Sequence, residues 1–301
     1  MPTQGKFNSK YNIPKLIQVL PELEDKIISN KKGEPTINFS DSESIYLLNK
    51  ALLKSHYQIK DWTLPKNYLV PPVPGRFDYV NGIVNLILSE GSGSYKPSLL
   101  NGIDIGCGAS CIYPLLFTSE YKGRMLATDV DLEAIKNAKK IAIANPDLRI
   151  EFYHQKIKNS ILNGVIRQKE LYEFTMCNPP FYENIKSAQK ANERKEKNLK
   201  TGRKSRNFLG QQNELIYPGG EKSFVRKIIE ESFSYHSSVL WFSVLVSDKN
   251  HLKLFKNLLK DEKVKDFKIV EMTRGNKISR FIAWTFFNRK QRVYWLNHRL
   301  R

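Results

Sequence analysis

Cysteine is scarce in this sequence, which has three in 301 residues: Cys107, Cys111 and Cys177. The number is odd and no two cysteines form a C-x-x-C pair, which argues against a disulfide scaffold and against a zinc cluster. Their neighbours are apolar, so we expect buried thiols in a reducing compartment. The five histidines are also scattered, at positions 56, 154, 236, 251 and 298. No metal site is expected.

Long hydrophobic runs are absent too. No stretch reaches the roughly 18 apolar residues of a transmembrane helix, so none is expected. The first eleven residues are polar and lack the apolar segment of a signal peptide, so we do not expect secretion.

Negative charge is in short supply. There are 30 acidic against 49 basic residues, a net charge of +19 and a pI near 9.7. Such an imbalance goes beyond what solubility requires. It indicates a polyanionic partner, most simply a nucleic acid and less simply an acidic membrane surface. Aromatic residues reach 11%, which predicts that most of the chain folds.

From about residue 99 onward, apolar stretches alternate with amphipathic ones, which predicts an α/β fold with a mainly parallel sheet. The predicted strands are 103–105, 124–129, 148–154, 172–177, 238–247, 266–273 and 279–287. The predicted helices are 43–54, 77–89, 131–144, 222–234 and 251–260. The last two strands should form an antiparallel hairpin at the edge of the sheet. The segment 64–76 holds four prolines and a glycine and is expected to be extended.

Charge and pattern together divide the chain into three parts. Residues 1–40 are too polar to form a core alone and are predicted to be a basic arm that packs on another part of the molecule. Residues 41–290 form the main domain. Within it, residues 184–208 carry nine Lys or Arg and two Glu, which is typical of a mobile, solvated loop. Residues 291–301 are expected to be a basic tail.

A glycine turn follows the strand at 103–105, in the order Asp104-Ile-Gly106-Cys-Gly108-Ala-Ser110. Glycines there let the backbone approach a ligand at the carboxyl ends of parallel strands. Asp104 could contact the amino-acid portion of that ligand through water, or hold the turn. Asp129 ends the next strand, where an acid can accept both ribose hydroxyls of an adenosine. It could instead cap the following helix, although Asp131 can do so equally well.

The strand at 172–177 ends at Asn178-Pro179-Pro180-Phe181. The prolines hold the chain extended, and the Asn178 side-chain oxygen and Pro179 carbonyl can both accept hydrogen bonds from one –NH₂ group. An exocyclic amine on a base is a poor nucleophile, and two aligned acceptors would stabilise its developing positive charge. Phe181 offers a face on which an extruded base can stack. We therefore predict methyl transfer to an amine, without a strong general base.

The segments IDIGCGASCIYPLL, ATDVD and MCNPPFYEN resemble one family over about residues 40–290. It comprises bacterial enzymes that methylate an adenine N6 in large-subunit ribosomal RNA and eukaryotic methyltransferase-like protein 16. The resemblance implies a Rossmann-like class I methyltransferase fold with a seven-stranded sheet. It also implies S-adenosylmethionine as donor and a structured RNA with an unpaired adenine as acceptor. In eukaryotic members that RNA is U6 small nuclear RNA, with the adenine in an ACAGA-type segment.

Carried over by position, Arg76 would hold the carboxylate of the cofactor, and Gly106 and Ser110 would line its methionine portion. Asp129 would bind the ribose, and Asn178 to Phe181 would form the catalytic motif. The resemblance also places the turn at 219–221 and the segment from Lys277 to Arg280 near RNA at the surface.

Further candidate RNA contacts lie in the basic segments, where phosphates can be held by Lys and Arg. In the arm and the loop they are Lys6, Lys10, Lys190, Arg194, Lys204 and Arg206. Near the C-terminus they are Arg289, Lys290, Arg292, Arg299 and Arg301.

The leading expectation is N6-methylation of an adenine in U6 small nuclear RNA, which favours the nucleus, with the cytoplasm as the other compartment. The alternatives are, in order, a ribosomal RNA adenine-N6 methyltransferase, a protein-glutamine N5-methyltransferase and a non-catalytic RNA-binding module. Glutamine methyltransferases share the Asn-Pro-Pro-aromatic motif, but they usually end it in Tyr and carry less positive charge.

Overall fold

The computed structural model describes residue 7 and residues 11–66, 68–91, 95–157, 159–167, 169–189, 215–261, 263–275 and 277–301. Its helices are α1 (Ile13–Val19), α2 (Ser42–Tyr57), α3 (Val73–Leu88), α4 (Ile112–Tyr121), α5 (Leu132–Ala144), α6 (Gly220–Ser232), α7 (Leu252–Leu258) and α8 (Arg289–Arg299). Its strands are β1 (Ile27–Ser29), β2 (Pro35–Ile37), β3 (Asn101–Ile105), β4 (Arg124–Asp129), β5 (Ile150–His154), β6 (Tyr172–Cys177), β7 (Val239–Val246), β8 (Asp266–Arg274) and β9 (Lys277–Thr285).

Seven strands form one sheet in the order β5-β4-β3-β6-β7-β9-β8. The first five are parallel to one another, and β9 and β8 add an antiparallel hairpin at the edge. The predicted α/β architecture, mainly parallel with an antiparallel edge, is confirmed. Because all parallel strands point the same way, β3, β4 and β6 deliver their last residues to the same edge of the sheet.

Helix α3 begins earlier than the sequence predicts. Residues 73–76 were expected to be extended, but α3 starts at Val73 with Pro74 in its first turn. Proline is tolerated there because the first N–H groups of a helix have no partner within it, and its fixed φ suits the helix. The early start makes Arg76 a helical residue in the first turn of α3.

The N-terminal segment packs on the rest of the chain. Helix α1 and the hairpin of β1 and β2 bury Ile13, Leu16 and Ile37, and these side chains join the same hydrophobic core as α2 and α3. The packing runs continuously across residue 40, so α1 and the hairpin add to this core. The domain boundaries themselves stay predictions.

Residues 291–301 do not form a free tail, because most of them belong to α8, which buries Trp295 and Leu296. Arg292 is buried and pairs with Glu90 at 2.7 Å, and Arg299 pairs with Glu173 at 2.6 Å. Arg292 is therefore wrong as a candidate phosphate contact, since it is buried and paired with a carboxylate. Arg299 is also paired, but its side chain is 32% exposed and its contact with phosphate stays a prediction.

Candidate active site

A cavity of about 800 Å³ opens at the carboxyl ends of β3, β4 and β6. Its wall is formed by the glycine turn after β3, the end of β4, the loop after β5 and the segment after β6. The topology thus collects segments that are far apart in sequence. Predicted site residues that line the cavity are Arg76, Gly106, Gly108, Ser110, Asp129, Asn178, Pro180 and Phe181.

The glycine turn has a backbone that suits a closely approaching ligand. Gly106 has a φ of 77° and Gly108 a φ of 62°, in the left-handed region. The N–H groups of Gly106 and Cys107 donate to the Thr128 carbonyl at 2.9 and 2.8 Å, which ties the turn to β4. Apart from Gly106 and its two chain neighbours, no atom of the described residues lies within 4 Å of the place where a Cβ would stand on Gly106. A ligand can occupy that space, and a side chain there would compete with it.

Asp129 ties the end of β4 to the glycine turn. Its Oδ2 accepts a hydrogen bond from the Gly108 N–H at 2.8 Å, and its Oδ1 accepts one from the Asp131 N–H at 2.9 Å. Burial raises the pKa of Asp129, while these hydrogen bonds act in the opposite direction. Asp131 caps α5 by accepting from the backbone of Glu133 and Ala134. The helix cap is therefore Asp131, and Asp129 is left at the cavity wall.

Asp104 and Arg76 both have unmet hydrogen bonds beside the cavity, although only Arg76 lines it. Asp104 is 0% exposed, and neither carboxylate oxygen has a partner among the described residues. Arg76 donates from Nη1 to the Tyr113 hydroxyl at 2.8 Å, but its Nε has no partner within the described chain. Burial raises the pKa of Asp104 well above its ordinary value, helped by the charge of Asp129 and opposed by Arg76. Orphaned buried groups of this kind indicate a ligand with charged groups of its own.

The Asn-Pro-Pro-Phe motif contributes three of its four residues to the cavity wall. Asn178 and Phe181 are half-buried and line the cavity with Pro180, whereas Pro179 is buried and is not among the lining residues. Beyond the motif, the Tyr182 N–H donates to the Leu215 carbonyl at 2.9 Å. The chain that leaves the motif at 182 and the chain that returns at 215 therefore meet beside the cavity.

The candidate RNA contacts differ in exposure, and most of them fall outside the described residues. Lys277 is exposed on β9, whereas the Arg280 side chain is 14% exposed and lies 3.7 Å from a carboxylate oxygen of Glu271. Lys6, Lys10, Lys190, Arg194, Lys204 and Arg206 lie outside the described residues.

The expectation of a surface element at residues 219–221 is wrong for Glu221, which is 1% exposed. Its carboxylate accepts hydrogen bonds from the Ser247 N–H at 2.7 Å and pairs with His251 Nδ1 at 2.8 Å. Glu221 therefore anchors the turn after β7 and is not a surface contact.

Sequence reasoning missed the loop after β5, although the strand-end rule that located the other segments could have found it. Gln155, Ile157 and Ser160 of this loop line the cavity. The loop is held from α6, where one Glu231 carboxylate oxygen accepts from the N–H groups of Ile161 and Leu162 at 2.9 and 2.6 Å.

Within the described ranges, no group of three or more His, Cys, Asp or Glu is arranged to hold a metal ion. No helix in the described part of the chain is long and apolar enough to cross a membrane. The three cysteines are buried free thiols.

Residues 1–288 match a protein family described as RNA methyltransferase. Among curated relatives, the ribosomal RNA large subunit methyltransferase F of Cronobacter sakazakii is 41% identical over 303 residues, covering 99% of this chain and 97% of the relative. The enzyme of the same name from Colwellia psychrerythraea is 41% identical over 300 residues, covering 96% and 99%.

Solved structures of similar chains are also methyltransferase domains. The catalytic domain of human METTL16 in complex with the MAT2A 3′UTR hairpin 1 superposes with a TM-score of 0.81 at 29% identity, over 95% of each chain. The N-terminal domain of human METTL16 in complex with SAH gives 0.74 at 28% identity, over 94% of this chain and 96% of that one. SAH is what remains of S-adenosylmethionine after its methyl group has been transferred. The chain therefore belongs to this family and is an RNA methyltransferase that uses S-adenosylmethionine as its methyl donor.

Proposed function

We propose that this enzyme methylates the N6 amine of an unpaired adenine in large-subunit ribosomal RNA. The observation that carries the proposal is that Asn178 and Phe181 share one cavity wall with Gly106 and Asp129. A group that can receive an amine thus faces the same cavity as a turn suited to the donor.

The orphaned groups of the cavity suit the amino-acid end of the donor. The Arg76 guanidinium would bind the carboxylate, and the buried Asp104 carboxylate would attract the ammonium group, through water if not directly. Gly106 leaves the space in which that portion can lie, with Ser110 beside it. Asp129 would accept the two ribose hydroxyls. The hydrogen bond from the Gly108 N–H orients the Asp129 carboxylate for this role.

The donor supplies an electrophilic methyl group, so the task of the protein is to position and polarise the amine. Asn178, through its side-chain oxygen, and Pro179, through its carbonyl, would accept the two N6 hydrogens and direct the lone pair at the methyl. Phe181 would stack on the extruded adenine. The proton released from N6 would leave to solvent.

Ribosomal RNA is the better-supported substrate. The curated relatives named above act, by name, on the ribosomal large subunit and are 41% identical, whereas the human structures are 28–29% identical. U6 small nuclear RNA and the nucleus, which the sequence favoured, find no support among these relatives. Their bacterial origin supports the cytoplasm as the compartment.

One labelling experiment tests the substrate. The protein is incubated with S-adenosylmethionine carrying a labelled methyl group, together with deproteinised large-subunit ribosomal RNA, U6 RNA and bulk cellular protein in separate reactions. We expect label in the ribosomal RNA. Stronger labelling of U6 RNA would identify U6 RNA as the substrate, as in the eukaryotic members. Label in protein glutamine would identify the enzyme as a glutamine methyltransferase. Binding of RNA without any label would mean a non-catalytic module.

A further inference from the structure

Strand β6 loses its backbone partner on one side just before it reaches the cavity. The last backbone pair between β6 and β7 is Phe174 with Trp241. From Phe242 onward, β7 pairs instead with β9 on its other side. The final residues of β6 precede Asn178 directly and stay paired with β3 on the other side. Whatever replaces the ladder on the β7 side therefore helps to set where Asn178 is presented.

Three buried hydroxyl groups replace it. The Cys177 N–H donates to the Tyr79 hydroxyl at 3.3 Å, and the Tyr79 hydroxyl lies 2.8 Å from Ser243 Oγ. Ser243 Oγ in turn donates to the Thr175 carbonyl at 2.6 Å, and the Ser243 N–H donates to Thr175 Oγ1 at 3.2 Å. The chain of hydrogen bonds thus leaves β6 at Cys177 and returns to it at Thr175, with one link on α3 and one on β7.

The direction of each hydrogen bond follows from counting hydrogens. A serine hydroxyl has one hydrogen, and that of Ser243 is donated to the Thr175 carbonyl. The Tyr79 hydroxyl must therefore donate to Ser243 while it accepts from Cys177. Every polar hydrogen between the Cys177 N–H and the Thr175 carbonyl has one acceptor, so the arrangement has a single state.

The surroundings prevent this arrangement from shifting. Tyr79, Thr175 and Ser243 are each 0% exposed. The Tyr79 ring packs between Tyr113 and Phe281, with centroids 5.5 and 5.0 Å away. Burial raises the pKa of Tyr79 well above its ordinary value, so its hydroxyl keeps the hydrogen that it donates. Water cannot take over a lost link here without entering a closed core.

We propose that Tyr79 is a positioning residue for methyl transfer. Through the Cys177 N–H it fixes the end of β6 and so the direction in which Asn178 meets the target amine. Tyr79 is not among the residues that line the cavity, so it acts through the backbone and not on a ligand. Because the proposal assigns the amine to Asn178, it rests on the proposed function. A displacement of about 1 Å in a reacting group can cost about a hundredfold in rate, so a partial loosening should be visible in kcat.

The test is Tyr79→Phe, which removes the hydroxyl and keeps the ring. We expect kcat to fall about tenfold, equivalent to about 1.4 kcal/mol on the barrier. The Kd and KM for S-adenosylmethionine should stay within about twofold, because Tyr79 does not line the cavity. A matched control is Tyr172→Phe at the start of the same strand. Tyr172 is 1% exposed and its hydroxyl donates to Glu170, so this variant also loses a buried tyrosine hydroxyl, but far from Asn178. Its kcat should stay within about twofold of the wild-type value.

Ser243→Ala breaks the same chain at its next link and serves if Tyr79→Phe does not fold. The double variant should lose no more kcat than the worse single variant, because the two hydroxyls act as one unit. Wild-type kcat in both folded single variants would overturn the proposal, as would an equal loss in Tyr172→Phe. All variants are compared on an RNA that the wild type methylates. Failure of the proposed function would show separately, as a wild-type enzyme that leaves ribosomal adenine unmethylated.

Discussion

Two fully buried carboxylates sit on the neighbouring strands β3 and β6, at opposite ends of the sheet. Glu173 lies at the amino end and accepts hydrogen bonds from the Asn101 N–H at 2.7 Å, the Trp295 indole at 3.0 Å and Arg299 Nε at 2.6 Å. Asp104 lies toward the carboxyl end and has no hydrogen-bond partner among the described residues. Both are 0% exposed.

The difference separates a structural edge from a functional one. At the amino end the protein satisfies its own charges, and α8 is held there by Glu173. At the carboxyl end the charges are left for a ligand, since a buried carboxylate without partners is costly unless something binds to it. The same acid chemistry thus stabilises the fold at one edge and prepares a binding site at the other.

The largest effect that this comparison predicts is on Asn178. Asn178→Ala removes an acceptor for the amine, and we expect kcat to fall at least about a hundredfold, as on loss of a comparable transition-state hydrogen bond. The affinity for S-adenosylmethionine should change little. Asn101→Ala, an asparagine at the amino end whose side chain donates to Leu171 O, is the matched control and should keep near-normal turnover. Near-normal turnover in Asn178→Ala would contradict the assignment of the carboxyl edge of the sheet as the catalytic one.

Basic residues should also divide between the two edges. The described chain resumes at Leu215, whose carbonyl accepts from the Tyr182 N–H just after the catalytic motif, so the basic residues that precede Leu215 in sequence are candidates for RNA contacts near the cavity. We expect the triple variant Lys190→Ala, Arg194→Ala, Lys204→Ala to weaken RNA binding about tenfold or more at low salt and to flatten its salt dependence. The comparison variant removes three of the C-terminal candidate contacts, which lie at the other edge, through Arg289→Ala, Lys290→Ala and Arg301→Ala, and we expect it to weaken RNA binding less. Equal losses in titrations over a range of salt concentrations would mean that RNA contacts both edges.

A pair of isosteric amides probes the two carboxylates directly. Glu173→Gln should lower the free energy of unfolding by about 2 kcal/mol, because the groups that donate hydrogen bonds to the buried Glu173 carboxylate would then face a neutral amide. Asp104→Asn should not destabilise the protein, since it replaces an unsatisfied charge, but should weaken S-adenosylmethionine binding about tenfold. Denaturant unfolding and calorimetry measure the two quantities. If Asp104→Asn were less stable than Glu173→Gln, Asp104 would have a structural role like that of Glu173.

Local features of the two edges, such as strand ends, could be predicted from the sequence. Features that depend on contacts between distant residues could not. The bounds of β4 and β6 were predicted to the residue, because an apolar run ends abruptly at Asp129 and at Asn178. For the cap of α5 the sequence left Asp129 and Asp131 as alternatives, and the structure shows that it is Asp131. The carboxylates of Glu90, just after α3, and Glu173, in β6, pair with Arg292 and Arg299 from more than a hundred residues away in sequence. No local pattern predicts these two ion pairs. Tyr79 and Ser243 are 164 residues apart, and no local pattern links them.

The smallest predicted effect is a pH dependence of the free energy of unfolding that comes from Asp104. Burial raises the pKa of Asp104 above its ordinary 3.8, so the folded protein holds a proton that the unfolded chain has released. Stability is therefore lost as the pH rises from about 4 toward the raised pKa. Asp104→Asn has no such penalty. Its free energy of unfolding should exceed that of the wild type by more at pH 8 than at pH 5, and a gap that narrows with rising pH would contradict the assignment.

The position of the transferred methyl group tests the account most directly. Large-subunit ribosomal RNA methylated by the wild-type protein is digested to nucleosides and analysed by mass spectrometry. The account predicts that the added methyl appears as N6-methyladenosine, and that Asn178→Ala adds none. A methyl group on a ring nitrogen, on a pyrimidine or on ribose would contradict it, because the Asn178 oxygen and the Pro179 carbonyl are suited to an exocyclic amine.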